Sequence, residues 1–130
     1  MEAAALLRLQ GLPFIPRLLG IDTRRRIIRL EFIWGETLYH AIAQGQLSYY
    51  EIQHSFAAML SDSASATGAE ILRMLKSMSD RGITQLDVNA ANFIRGRFTQ
   101  TLYTVDFHLV HLRPASEPAE GTVAQAAPFC

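Results

Sequence analysis

The chain has 130 residues, of which 49% are hydrophobic and 18% are charged, and it contains one cysteine. This length suits one domain with a buried core, and this composition excludes a disordered chain or a disulfide-rich scaffold. Twelve basic residues balance twelve acidic residues. A net charge of zero provides no global field to recruit nucleic acid or an anionic membrane, so recognition is left to local sites.

Signals for export or membrane insertion are absent from the sequence. Cys130 is the single cysteine, so no intramolecular disulfide can form. The first ten residues lack the basic region and long apolar run of a signal peptide. No apolar run reaches about 18 residues, the length that suggests a transmembrane helix. These features predict a cytoplasmic protein without a transmembrane segment.

The N-terminal part is predicted to form a helix followed by a β-hairpin. Residues 2–10 are rich in alanine and leucine and stop at Gly11, which is typical of a helix end. The apolar runs FIPRLLGID and RIIRLEFI, separated by DTRRR, predict two antiparallel strands. The arginine triplet 24–26 is predicted to lie in a solvated turn, with a phosphate-binding patch as the alternative.

Three amphipathic helices are predicted in the middle of the chain. The segment ETLYHAIAQG predicts a short helix that Thr37 caps. Apolar residues at spacings of three and four predict a second helix over 48–59, which begins with a capping box of Ser48 and Glu51. The third helix, over 69–80, has a stripe of leucine and methionine that is assigned to the core.

A second hairpin and a tail complete the predicted order of elements. NFIRGRFTQTLYTVDF contains two short β-prone stretches around a glycine-containing connection. The composition after residue 113 predicts a flexible tail over 114–130, which leaves 1–113 as a single domain. The predicted fold class is α+β, because strands and helices do not alternate as a parallel sheet requires.

Three polar residues surround the second hairpin. Asp87 and Asn92 precede its first strand, and Asp106 ends its second strand. If the hairpin folds back on the preceding loop, these side chains converge. Asn92 and Asp106 are then hard oxygen ligands of the kind that Mg²⁺ takes, and Asp87 can accept a hydroxyl proton. The alternative is that Asp87 only caps a turn.

The phrases GITQLDVNAANFI and LYTVDF resemble the catalytic loop and the metal-binding segment of the protein-kinase-like superfamily. In that pattern an Asp and an Asn separated by four residues lie on the catalytic loop, and the next hairpin leads into Asp-Phe-Gly. The resemblance implies that Asp87 is the catalytic residue. It also implies that Asn92 and Asp106 hold Mg²⁺ and that the phosphate donor is ATP.

The resemblance extends to the N-terminal part of the chain. IIRLEFIWGETL is similar to a kinase strand and hinge. This similarity implies that backbone groups of the hinge bind adenine, at Glu31, Phe32 and Ile33. The first helix is similar to the kinase αC helix, which would make Glu2 the acidic partner of the strand-three lysine.

The resemblance implies a protein-kinase-like architecture of two unequal parts. Residues 1–34 correspond to a partial N-lobe and hinge, and residues 35–113 to a minimal helical C-lobe with the catalytic loop and a β-hairpin. LDVNAANFI is more similar to compact bacterial kinases of small molecules and lipopolysaccharide sugars, or to the atypical RIO group, than to typical eukaryotic kinases. The implied partners are a nucleotide and a sugar or small-molecule acceptor.

Several features depart from the kinase pattern. No glycine-rich loop or strand-three lysine precedes the first helix, and these parts normally grip the nucleotide phosphates. Gln85 and Leu86 replace the usual His and Arg, and His108 replaces the glycine after Asp-Phe. Gln85 can still hydrogen-bond the loop backbone but cannot titrate.

These departures predict weak or lost activity, since losing one stabilising group commonly costs about 10²-fold in rate. Two alternatives therefore stay open. One is a non-catalytic pseudokinase whose exposed apolar surface is covered by a protein partner or a second copy. The other is a truncated gene product.

Overall fold

The computed structural model describes residues 2–45, 47–105, 107 and 110–112. Four α-helices occur in these ranges, namely α1 (Glu2–Leu9), α2 (Leu38–Ala43), α3 (Tyr49–Ser61) and α4 (Ala66–Asp80). The same ranges contain seven strands, namely β1 (Leu18–Asp22), β2 (Ile27–Leu30), β3 (Gly35–Thr37), β4 (Ile83–Gln85), β5 (Phe93–Gly96), β6 (Leu102–Thr104) and β7 (Val110–Leu112). A short 3-10 helix, Ala90–Asn92, lies between β4 and β5. The predicted tail at 114–130 lies outside the described residues.

Every strand pairing in the described part of the chain is antiparallel. β1 pairs with β2, β5 lies between β3 and β6, and β4 pairs with β7. The α+β fold class and both predicted hairpins, β1–β2 and β5–β6, are therefore confirmed. The sequence does not predict β3 or the β4–β7 pair, because strands of three residues are too short to show an alternating pattern.

Side-chain caps determine where three of the helices begin, and the predicted Thr37 cap of α2 is confirmed, since the Thr37 Oγ1 accepts from the His40 N–H at 3.0 Å. The Ser48 Oγ accepts a hydrogen bond from the Glu51 N–H at 3.3 Å, and the Glu51 Oε1 accepts one from the Ser48 N–H at 3.3 Å, so the predicted capping box is confirmed. Helix α4 begins earlier than the predicted residue 69. The reason is a cap that the sequence analysis missed, in which the Ser65 Oγ accepts from the Gly68 N–H at 3.0 Å.

The core is formed by the inner faces of the helices and the strands that lie against them. Its largest fully buried apolar side chains are Phe93, Phe107, Leu6, Leu9, Ile52, Ile71, Met78, Ile83 and Leu102. The predicted α4 core stripe is correct for Met74, Leu75 and Met78 but wrong for Leu72, which is 48% exposed. Leu72 lies one position after Ile71, about 100° around the helix from the buried face.

The chain is fixed on the N-terminal side of the segment that contains the polar motif. Helix α4 ends with Gly82 at a φ of +83°, a conformation that glycine adopts without a steric penalty. The Arg81 guanidinium donates to the Gln10 carbonyl at 2.8 Å and so joins the ends of α4 and α1. No helix in the described ranges is both long and apolar enough to cross a bilayer.

Candidate functional site

The loop that contains Asp87 starts from a buried strand. All three residues of β4 are buried, so the direction in which the chain leaves the strand is fixed. Gln85 is only 2% exposed, and its Oε1 accepts a hydrogen bond from the Asp87 N–H at 3.1 Å. This is the backbone hydrogen bond that the sequence analysis expects of Gln85.

Two asparagine side chains hold Asp87. The Asn89 Nδ2 donates to the Asp87 Oδ1 at 2.9 Å. The Asn92 Nδ2 donates to the Asp87 carbonyl oxygen at 3.0 Å and lies 3.5 Å from the Asp87 Oδ2. The structure therefore brings Asp87 and Asn92 together, and it fixes the orientation of a half-buried carboxylate.

The orientation of the Asn92 amide follows from its neighbours. Its nitrogen must face Asp87, because both atoms that it approaches there are hydrogen-bond acceptors. The Asn92 Oδ1 then accepts no hydrogen bond from the described residues, although the side chain is only 8% exposed. A fixed amide oxygen of this kind fits a hard cation such as Mg²⁺.

Asp106, the second predicted Mg²⁺ ligand, lies outside the described residues, as does His108. The preceding residue, Val105, donates its N–H to the Asn92 carbonyl oxygen at 3.0 Å. The side chain of Phe107 is fully buried in the core. The pairing of β5 with β6 therefore brings the chain back to Asn92 at Val105.

The predicted hinge joins β2 to β3 without forming a helix or strand. The Glu31 N–H donates to the Arg17 carbonyl at 2.9 Å, so this backbone donor is not open to a ligand. Among the described residues, no hydrogen bond engages the backbone of Phe32 or Ile33. The backbone groups of these two residues are therefore open to a ligand.

A polar cavity of about 610 Å³ begins at Gly35, directly after the hinge in sequence, and is lined by residues of β3, α2, β5 and the β5–β6 connection. The side chains of Glu36, His40 and Arg97 line it, and the His40 Nδ1 lies 2.8 Å from the Glu36 Oε2. The Arg97 N–H donates to the Trp34 carbonyl at 2.6 Å and joins the hairpin to the hinge. The volume falls within the range of about 300–1,000 Å³ that is typical of small-molecule pockets.

Exposed aromatic side chains surround the hinge. Phe32 and Trp34 are 73% and 59% exposed, and their rings pack edge to face with centroids 4.8 Å apart. Together with Phe98 and Tyr103 they line a groove of about 130 Å³. A flat or edge-on aromatic surface next to open backbone groups suits a planar ligand.

Glu2 is not part of the loop cluster. It lies in the first turn of α1, and no hydrogen bond or ion pair described for the chain joins it to Asp87 or Asn92. Lys76 is the one lysine in the sequence, and it pairs with Asp80 on α4 at 3.1 Å. The residues of this chain therefore offer Glu2 no lysine partner.

Asn89 is a member of the site that the sequence analysis missed. Besides contacting Asp87, its Oδ1 accepts from the Ala91 N–H at 2.9 Å and caps the 3-10 helix. A local signal was available, because an Asn directly before a short helical turn is a typical cap. No helix is predicted at residues 90–92 from the sequence, so Asn89 is not recognised there as a cap.

Asn89→Ala is expected to destabilise the protein by about 1–2 kcal/mol, because it removes a cap and one hydrogen bond to a carboxylate. Urea unfolding measures the loss. Asn89→Ser is the matched control, since a hydroxyl group retains the cap acceptor, and it should lose clearly less. Equal urea midpoints for the wild type and Asn89→Ala would contradict this role.

Comparisons with known proteins give no family assignment. No family model matches the sequence, and a search of curated proteins finds no significant match.

Proposed function

We propose that this chain is a protein-kinase-like domain that binds Mg-ATP between the hinge and the Asp87 loop. The main supporting observation is the arrangement of this loop. Asn89 and Asn92 hold the Asp87 carboxylate, and the chain returns to Asn92 at Val105, directly before Asp106 in sequence. Asp and Asn at these places match the order of the kinase catalytic loop and metal segment.

Each residue of the proposed site has a distinct role. Asp87 orients the acceptor hydroxyl and accepts its proton, since its carboxylate is fixed but remains partly exposed. Asn92, whose Oδ1 accepts no hydrogen bond from the residues that the structure describes, and Asp106 would hold Mg²⁺, which neutralises charge on the phosphates. Asn89 acts through Asp87 as a positioning residue.

The hinge and its surroundings support the nucleotide part of the proposal. Adenine needs one donor and one acceptor along its edge, and the backbone groups of Phe32 and Ile33 make no hydrogen bond within the described part of the chain. The adjacent polar cavity of about 610 Å³ has room for a sugar, and none of its lining residues belongs to the Asp87 loop. Glu31 contributes its carbonyl at most, because its N–H is engaged by Arg17.

Catalysis by these residues is proposed to be weak. Lys76 is the one lysine in the sequence and it pairs with Asp80 on α4, so Glu2 has no lysine partner of the kind that grips the phosphates in kinases. By resemblance to compact bacterial kinases, the proposed acceptor is a sugar or small-molecule hydroxyl, and the proposed location is the cytoplasm. Because Glu2 lacks a lysine partner, nucleotide binding is a better first test of the proposal than catalytic activity.

Thermal unfolding with and without Mg-ATP tests the proposal. At a ligand concentration of about 100 times Kd, binding should stabilise the wild type by about 2.7 kcal/mol. Asp106→Ala and Asn92→Ala should abolish this stabilisation. Asp80→Ala is the matched control, because it removes an acid that pairs with Lys76 on the surface, and it should respond like the wild type. Equal responses of all variants, or none from the wild type, would exclude nucleotide binding through this site.

The exposed aromatic groove favours a second candidate function, a non-catalytic interaction module. Phe32, Trp34 and Phe98 are all more than half exposed, and aromatic residues of this kind are enriched at protein interfaces. Light scattering after size exclusion distinguishes self-association from a monomer. A monodisperse monomer would count against a second copy as the partner.

A further inference from the structure

The β1–β2 hairpin concentrates the positive charge of the molecule. Residues 17–31 contain five arginines and two acidic residues, a net charge of +3, whereas the rest of the chain has a net charge of −3. The overall charge of zero therefore hides a strong separation. Such an asymmetry is typical of proteins that bind polyanions or anionic surfaces.

The turn geometry leaves most of these arginines unpaired. The Asp22 Oδ1 accepts from the N–H groups of Arg24 and Arg25, each at 3.1 Å, and the Asp22 Oδ2 lies 3.9 Å from the Arg25 Nε. The Asp22 carboxylate is thus used to hold the turn. Arg24, Arg26 and Arg29 have no ion pair among the described residues.

A depression of about 400 Å³ lies on the outer face of the hairpin, with Arg24 and Arg29 in its wall. The strand register places Gly20 opposite Arg29 and Asp22 opposite Ile27, so these four residues share one face. A Cβ at Gly20 would have no atom within 4 Å. The glycine therefore leaves open space on the face of the hairpin that carries Arg29.

Aliphatic side chains border this basic surface. Leu19 is 57% exposed at the irregularity in β1, and Ile27 is 42% exposed on the face that it shares with Arg29. A soluble anion gains nothing from such neighbours. A lipid headgroup offers both a phosphate for the guanidinium groups and apolar material beneath it for the aliphatic side chains.

We propose that the outer face of the β1–β2 hairpin docks on bilayers that contain anionic lipids. Arg24 and Arg29 contact headgroup phosphates, Arg25 and Arg26 add to the attraction, and Leu19 and Ile27 enter the interface. Each arginine near an anionic surface strengthens binding about fivefold, so the binding is reversible and weakens with salt. The proposal does not depend on nucleotide binding, because none of these residues belongs to the Asp87 loop or the hinge.

Co-sedimentation with vesicles tests this docking surface. The full chain is mixed with vesicles of phosphatidylcholine and phosphatidylserine, or of phosphatidylcholine alone. The wild type should bind only the anionic vesicles, and R24S/R25S/R29T should reduce its partition coefficient about 100-fold. R73S/K76S/R97S is the matched control, because it removes the same charge elsewhere on the surface, and it should retain most of the binding.

A third variant addresses the outer face at Gly20. Gly20→Glu adds a negative charge to this face where nothing lies within 4 Å of its Cβ, so the fold should tolerate it while the attraction to anionic headgroups falls. Its binding should fall severalfold. Circular dichroism and thermal unfolding confirm that all variants are folded before their binding is compared.

Several results would overturn the proposal. Equal binding of the wild type to neutral and anionic vesicles would show that the charge of the hairpin does not determine binding. An equal loss of binding in the control variant would show the same. Competition by soluble glycerophosphoserine would indicate a phosphate pocket rather than a membrane surface. Dimers that R24S/R25S/R29T dissociates would assign the surface to a second copy. Tighter binding to RNA than to anionic vesicles would assign it to nucleic acid.

Discussion

Gly35→Ala is expected to lower the free energy of unfolding by about 3 kcal/mol. A Cβ at this position would lie 2.0 Å from the Arg95 carbonyl oxygen and 2.9 Å from the Arg95 carbonyl carbon. Both atoms belong to the backbone of β5, which pairs with β3, so the clash cannot be relieved by rotating a side chain. The two strands must separate locally, or the hinge end of β3 must move.

Urea unfolding measures this loss, and Gly20→Ala is the matched control. A Cβ at Gly20 meets no atom within 4 Å, so the same methyl group should be tolerated there or stabilise the strand slightly. For a domain of this size the Gly35→Ala loss corresponds to a fall in Tm of about 10 °C. Similar midpoints for the two variants would show that β3 does not pack on β5 as described.

This glycine also links stability to the candidate site. Gly35 follows the hinge directly, and the neighbouring Trp34 carbonyl accepts from the Arg97 N–H at 2.6 Å. Movement of β3 would displace both the open hinge backbone and the polar cavity beside it. If the Mg-ATP proposal is correct, Gly35→Ala should therefore weaken nucleotide stabilisation even at temperatures where the protein remains folded.

Features set by residues close in sequence were predictable. The capping box of Ser48 and Glu51, the end of α4 at Gly82 and the contact between Asp87 and Asn92 each depend on groups within about five positions. Local hydrogen bonds and backbone preferences determine such features almost independently of the rest of the fold. The two hairpins were predictable for the same reason, because a short turn joins their strands.

Features set by distant residues were not predictable from the residue pattern. β4 pairs with β7 more than twenty positions away, and each strand has only three residues. The engagement of the Glu31 N–H by Arg17 depends on how the first hairpin closes, so the sequence could not show that this hinge donor is used. The exposure of Leu72 likewise depends on which side of α4 faces the core.

The separation of charge between the first hairpin and the rest of the chain is a feature that the overall composition does not predict. A net charge of zero correctly describes the whole chain, but it averages a basic hairpin with an acidic remainder. The arginine triplet was predicted to be a solvated turn, and the exposed Arg25 side chain agrees with that description. Only the structure shows that the Asp22 carboxylate accepts hydrogen bonds from the backbone of the turn and that Arg24 and Arg29 line one depression.

Phe93→Ala is expected to cost about 3–5 kcal/mol, because it removes a ring that is 1% exposed and leaves a cavity. The ring packs beside that of Phe56 on α3, with centroids 6.0 Å apart. Phe93 also follows Asn92 directly and begins β5, so the cavity would lie beneath the backbone that positions the Asn92 side chain. The loss should therefore appear both in stability and in the geometry of the Asp87 loop.

Phe98→Ala is the matched control for this substitution, since the same ring is removed from a position that is 79% exposed, and it should change stability by less than about 0.5 kcal/mol. Urea unfolding of both variants gives the comparison of stability. Hydrogen exchange of the Val105 amide, which donates to the Asn92 carbonyl, reports on the loop and should become faster only in Phe93→Ala. A large loss of stability with unchanged exchange at Val105 would show that the core supports the fold but does not position the candidate site.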